Sequence, residues 1–396
     1  MKKKSFICIA IMALLATGII LTGCGGSSSS TPPASTSYSF DSAAPKFLVA
    51  GSDDCDSVTV FSVAATTGAL TEVPTSPFTA TKANCPVVSV HPNGKWIYVT
   101  DEEGSSIQAL SIDSTGTLTQ IGSVVNNTGS AFSVAFSSDG KYLFTADMDA
   151  FVSAFGIDPT TGALTPMGYG GVANTSGWPP LIVSIASAGS YLYAGGVIPD
   201  AWQEYYSASI YGFTVGSSGT PASITGSPWA VPTNGESRSG AVVTDLSGKF
   251  LYAFTGSNLY GYSVSPSGSL TELAGFPIAP PNYSGNNNMP TISMVFEPRN
   301  KFLYFTDWGN GVRGYSFNST TGALTELTGS PFAATGNSNC GLAADPSGTF
   351  LYSGDDNTNS VTGFTINQTT GVLTQMTTGP YQASQSWDLV SMGITH

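Results

Sequence analysis

The sequence predicts an all-β chain: a seven-bladed β-propeller of four-stranded antiparallel blades, closed by a C-terminal strand completing the first blade. Three observations carry this. A basic or polar residue followed by aromatic, aliphatic and aromatic positions recurs seven times, starting at Lys46, Lys95, Lys141, Ser190, Lys249, Lys301 and Thr349. A Thr-Gly-Ala-Leu-Thr-like hairpin follows at 67–71, 115–119, 161–165, 267–271, 321–325 and 370–374, with a degenerate copy near Ser218-Gly219. Finally, the first copy begins at its second strand, and Trp387-Asp388-Leu389-Val390-Ser391-Met392 reads as the missing first strand.

Residues 241–275 show the unit most clearly. Ala241 to Thr244 is a small-apolar run, and after a Ser-Gly turn comes Lys249 to Ala253. Leu259 to Val264, a second Ser-Gly turn and Leu270 to Leu273 complete it. Alternation of aromatic and polar residues between glycine turns has the period of strands, not helices. A sheet this small does not fold alone. Successive copies start 46 to 59 residues apart, the spacing of propeller blades. Strand pairing between the chain ends would close the ring and remove a free edge.

The N-terminus reads as an export signal. Lys2, Lys3 and Lys4 precede an apolar run from Phe6 to Ile20, too short for a comfortable membrane span. Leu21-Thr22-Gly23-Cys24 resembles the bacterial lipobox, whose cysteine is acylated after cleavage. The expected organisation is a signal peptide over 1–23, acylated Cys24 with a Ser/Gly/Pro tether to 44, and the propeller over 45–396. The expected partner of Cys24 is a lipid membrane. Gly25 after it favours the outer membrane or cell surface under the enterobacterial sorting rule.

Charge excludes one class of partner. Without Lys2, Lys3 and Lys4, a chain of 12 basic and 25 acidic residues has a net charge of about −16. No basic patch is available to displace counterions from phosphates, so no nucleic acid is expected. Cys55, Cys85 and Cys340 remain beyond the signal and lipid cysteines, and an oxidising envelope allows one disulfide in any of three pairings. No Cys/His cluster has zinc spacing, and no metal or other cofactor is expected.

The runs HPNGKWIYV, SDGKYLF and SGKFLY, with TTGALTE and SPF after them, resemble the 6-phosphogluconolactonase-like lactonase family over 45–396. The resemblance implies a propeller and a carboxylic ester hydrolase opening sugar lactones. It also implies a Gly-Pro-Arg-His stretch entering a first strand and Asn-Glu after the next. Here the first segment is Glu236-Ser237-Arg238-Ser239-Gly240, so Arg238 matches and Ser239 replaces histidine. Thr255-Gly256 occupies the Asn-Glu place. A reduced site would use Arg238 for the developing oxyanion and a carboxylate, Glu236 or Glu102, as base.

Other residues point to binding. His91 falls in a turn after a first strand, aligned near Ser137, Ala186, Leu246, Glu297 and Asp345, on the face opposite the channel mouth. His396 is the chain end and is expected to be mobile. Neither histidine suits a triad. Second strands end in Asp53-Asp54, Asp101-Glu102-Glu103, Asp147 with Asp149, Asp307, and Asp355-Asp356. These predict an acidic rim of the oxygen-only kind Ca²⁺ takes, or aspartates capping their own loops. The fourth blade has an expanded loop, 197–206, in which Trp202, Tyr205 and Tyr206 can stack on a sugar ring. Asp307 and Trp308 lie on the same face, beside the long loop from Pro280 to Pro290. Two readings follow: a scaffold holding a small molecule, glycan or protein at the channel mouth, and an active lactone hydrolase.

Overall fold

Alternating patterns in the sequence become hairpins with matching registers. A computed structural model describes residues 46–52, 57–80, 87–101, 105–147, 150–171, 180–199, 206–232, 240–255, 258–281, 293–307, 309–336, 339–355, 357–384 and 389–396. These form seven antiparallel sheets, each ordered from an innermost strand outwards. In the fifth blade the strands are Ala241–Thr244, Phe250–Thr255, Asn258–Val264 and Leu270–Glu272. Val243 opposes Tyr252, and Tyr252 opposes Gly261.

The ring closes between the chain ends. Leu389–Ile394 is the innermost strand of the first blade and runs antiparallel to Phe47–Ser52, from Leu48↔Ile394 to Ser52↔Leu389. The predicted closing strand is thus real and ends two residues further on than expected, while Trp387 and Asp388 lie outside the described residues. Its end is tied down by Phe47 N–H donating to Thr395 Oγ1 at 3.1 Å. His396 is not a loose end either. It lies against the turn at Gly94, where an added methyl group would stand 2.8 Å from its backbone nitrogen.

The two sequence repeats are the two halves of one joint. The tyrosine of the second-strand motif donates to the hairpin-glycine carbonyl of a neighbouring blade. Tyr98 reaches Gly162 at 2.9 Å, Tyr193 reaches Gly268 at 2.7 Å, and Tyr252 reaches Gly322 at 2.6 Å. Tyr304 bonds Gly371 at 2.6 Å, and Tyr352 closes the ring on Gly68 at 2.8 Å. Val49 and Phe144 hold this place in the first and third blades and have no hydroxyl to donate. Burial raises the pKa of all five tyrosines, which keeps them protonated donors. Two positions earlier, a ring covers the same glycine: Phe250 on Gly322, Phe302 on Gly371, Phe350 on Gly68, Trp96 on Gly162. Each buried hydrogen bond contributes about 1 kcal/mol net, and burial of the apolar surface between sheets contributes more. Core clusters accordingly span neighbouring blades, as where Tyr193 and Ile210 pack with Leu251 and Tyr260.

On the face away from the channel mouth, turns after first strands are held by single side chains. Asp245 accepts from Lys249 N–H and Phe250 N–H, both at 2.8 Å, so this slot belongs to Asp245 and not to Leu246. Glu297 fills it in the sixth blade, accepting from Arg299 N–H at 2.7 Å and Lys301 N–H at 2.8 Å. Glu297 is only 1% exposed, and burial raises its pKa despite those bonds. An acid whose pKa is higher folded than unfolded makes the native state bind more protons, so its contribution to stability falls as pH rises. Wild type is therefore expected to gain stability relative to Glu297→Gln as pH falls from neutral into the carboxylate range. Denaturant midpoints across that range check this, and a constant difference contradicts it.

Candidate functional site

Loops between blades meet the ends of the second strands on one face. Asn127, entering the third blade, donates to Asp147 Oδ1 at the end of that blade's second strand, at 2.7 Å. Pro281, leaving the fifth blade, accepts through its carbonyl from Arg313 of the sixth at 2.6 Å. These contacts place the channel mouth where the repeat predicted it.

The innermost strands, which line the channel, are uncharged. The innermost strands are Leu389–Ile394, Val87–Val90, Ala131–Phe136, Leu181–Ala188, Ala241–Thr244, Met294–Phe296 and Asn339–Ala344. None contains an acidic residue, a basic residue or a histidine. Serines here join neighbouring blades through their hydroxyls. Ser391 Oγ accepts from Val88 N–H at 2.9 Å, Ser184 from Val242 N–H at 3.1 Å, and Ser293 from Leu342 N–H at 3.1 Å. Cys340 is buried in the seventh blade's innermost strand.

The described aspartates at the second-strand ends do not form a rim. Asp101, Asp147, Asp307 and Asp355 are all buried. Asp147 accepts from Asn127 and, at 2.6 Å, from Ser153 Oγ. Asp355 accepts from the backbone N–H of Asn357 and Thr358 at 3.1 and 2.8 Å, the loop-capping alternative. Among the described residues, no group of three or more His, Cys, Asp or Glu is placed to hold a metal ion.

The sixth blade holds a charged cluster that no sequence motif marks. Arg313 is 0% exposed. Its Nε donates to Asp307 Oδ2 at 2.5 Å, Nη1 to Glu326 Oε1 at 2.6 Å, and Nη2 to the Pro281 carbonyl. Asn310 also donates to Asp307, at 3.1 Å. Burial raises the pKa of Asp307, opposed by its bonds to Asn310 and Arg313. Asp307, expected to meet ligand, instead faces inward and is engaged by Arg313. One signal was available: Arg313 stands mid-strand in Gly311–Phe317, where the second blade has Gln108 bonded to Gln120 at 3.0 Å.

Both histidines have places outside the channel mouth. His91 Nδ1 accepts from Asn93 N–H at 3.1 Å, so Nε2 carries the proton and donates to the Gly140 carbonyl at 2.8 Å. Its ring packs against Trp96 and Phe136. Arg238, Glu236, Glu102, Trp202, Tyr205, Trp308 and Cys24 lie outside the described residues. Parts of the backbone around them are described. Tyr191–Pro199 and Tyr206–Val215 are the long strands carrying the expanded loop, and Tyr206 opens the second of them. Gly240, two residues after Arg238, approaches Gly195 so closely that a side chain at Gly195 would collide with its carbonyl.

A closed ring of seven blades, with its chain ends in one sheet, defines a β-propeller. The family described as lactonase, 7-bladed beta-propeller, matches residues 77–150 and 243–387, more than half of the chain. The chain belongs to that family. The match leaves out 151–242, the stretch containing the expanded loop, Glu236 and Arg238. No curated protein matches the chain. Among solved structures, Pseudomonas aeruginosa periplasmic gluconolactonase is similar at 17% identity and a TM-score of 0.69, over 88% of this chain and 99% of that one. A Bacteroides uniformis protein provisionally designated a 6-phosphogluconolactonase gives 17% and 0.68, over 89% and 100%. A Lactobacillus plantarum protein gives 15% and 0.69, over 89% and 100%. At such identities the likeness carries the fold and not the chemistry.

Proposed function

We propose that the protein is a binding propeller of the lactonase family, holding an uncharged polyhydroxylated ligand, a glycan, at the channel mouth. The uncharged innermost strands carry this reading: seven strands without a charged side chain suit hydroxyl recognition and supply no base for water. Internal bonding of Asp147, Asp307 and Asp355 supports it too. Trp202, Tyr205 and Tyr206 supply the stacking surface.

A second reading has its own support. Lactone hydrolysis by Arg238 with Glu236 or Glu102 fits the family, and the similar Pseudomonas protein is by its name a periplasmic gluconolactonase. An exported address is therefore compatible with an unphosphorylated lactone as substrate. One experiment separates the two: the purified chain and its Arg238→Ala variant are assayed with sugar and aliphatic lactones, alongside a glycan array. The binding reading expects equal, spontaneous lactone opening in both samples and glycan retention that Trp202→Ala weakens at least tenfold. Turnover above background that Arg238→Ala removes would establish the hydrolase.

The lipobox-like segment supports anchoring through Cys24. Wild type is expected in the detergent phase and the membrane fraction, and Cys24→Ser in the aqueous phase. A wild type in the aqueous phase would overturn the anchor.

A further inference from the structure

We infer that the face away from the channel mouth rests on an anionic lipid surface, so that the acylated protein holds its channel mouth outwards. The repeat puts the bases on that face. Lys46, Lys95, Lys141, Lys249 and Lys301 each stand immediately before a second strand, and all five are exposed. Lys141 pairs with Asp139 at 2.8 Å, and the other four form no ion pair with a described residue. The exposed carboxylates described on this face are Asp113, Asp139 and Asp158, of which the first and last accept from the backbone of their own hairpin turns. Asp245, Glu297 and Asp345 are buried there and accept from backbone N–H groups. The channel-mouth side has the reverse composition. The segments joining second to third strands contain acids, among them Asp53, Glu102, Asp149, Asp200 and Asp356, and no Lys or Arg. Those joining one blade to the next add only Lys82 and Arg238 as bases.

Two observations select the occupant. The chain enters the propeller at Lys46, whose N–H donates to the Thr395 carbonyl at 3.0 Å, so the segment leading from Cys24 joins the propeller on the lysine face. As a flexible Ser- and Gly-rich chain, 24–45 spans on the order of 25 Å, and about 75 Å at full stretch. Such a tether keeps the propeller near the headgroups without fixing which side faces them. Charge makes that choice. An anionic surface repels the channel-mouth side and attracts the lysine ammonium groups once they come within the screening length of about 8 Å. One lysine in each of five blades is too dispersed to hold a free polyanion. Acyl chains together with basic residues are the two-signal arrangement that keeps a protein on a membrane. The inference rests on anchoring through Cys24, and it leaves the channel mouth turned away from the membrane and open to ligand.

The test uses the acylated protein on vesicles of phosphatidylcholine alone and of equal parts phosphatidylcholine and phosphatidylglycerol. Lysine amines are acetylated with an uncharged reagent and read residue by residue by mass spectrometry. Lys95, Lys141, Lys249 and Lys301 are expected to react more slowly on the mixed vesicles, by about threefold or more, and raised salt is expected to remove the difference. In a protein combining Lys46→Gln, Lys95→Gln and Lys249→Gln, with an unchanged thermal midpoint, Lys301 is expected to react equally on both vesicles. Equal labelling of a wild type that floats with both vesicles overturns the proposal and leaves the anchor standing. A wild type that floats with neither overturns both. Protection that outlasts salt or the three substitutions also overturns the proposal, because the contact is then not made by lysine charge.

Discussion

Arg313→Met is expected to cost about 3–5 kcal/mol of stability, because it removes one partner from a buried ion cluster and leaves the others behind. Asp307 is 0% exposed and loses its 2.5 Å donor, Glu326 loses a donor, and the Pro281 carbonyl loses its hydrogen bond. The damage is the isolated anion more than the missing arginine. Burial already raises the Asp307 pKa, and without Arg313 that rise grows. Raised folded pKa values make the deficit shrink as pH falls through the carboxylate range. Two checks follow from denaturant midpoints. The deficit should narrow on acidification, and the combined Asp307→Asn, Arg313→Met and Glu326→Gln protein should recover most of the loss. A deficit unchanged by pH or by neutralising both acids would mean that lost packing, not charge, sets the cost.

Gly322→Ala is the second large effect, about 2–4 kcal/mol. The residue sits at φ +74°, where a side chain costs about 1–2 kcal/mol, and its new methyl group would stand 2.5 Å from Phe250 Cδ1 and 2.6 Å from Leu273 Cδ1. Those side chains cannot retreat without opening the joint that Tyr252 closes on the Gly322 carbonyl. Gly275→Ala separates the two causes. Gly275 has φ +88° and nothing within 4 Å of a new methyl group, so it should lose only the conformational part. Similar melting shifts in both variants would mean that the stacked aromatic contributes little to holding blades together.

The joint also explains why the fold was legible. Lys301-Phe302-Leu303-Tyr304 and Thr370-Gly371 are far apart in the chain, yet Phe302 packs on Gly371 and Tyr304 bonds its carbonyl. One contact repeated around a ring has to be encoded by a repeated sequence. The terminal strand facing Phe47–Ser52 was readable for the same reason: period, turn and copy number are local properties.

The channel-mouth chemistry was less legible. Aspartates at the second-strand ends read either as a rim or as caps of their own loops, because sequence shows that a carboxylate recurs and not which way it points. Asp147 turns to Asn127 and Ser153, and Asp307 to Arg313. The mid-strand place of Arg313 was the one local sign of it, and its role lies in three partners at 281, 307 and 326 that only the fold brings together.

The sequence by itself determined the propeller, its seven blades, its closure and its acidic net charge, because alternation, turns and net charge are summed along the chain. Tertiary structure alone decided that Asp147 and Asp307 face inward, that Arg313 is buried among acids, that His396 lies against a turn and that the third blade ends in a long outer strand. Each of those depends on partners distant in sequence, and a carboxylate's chemistry is set by what stands within hydrogen-bond reach of it.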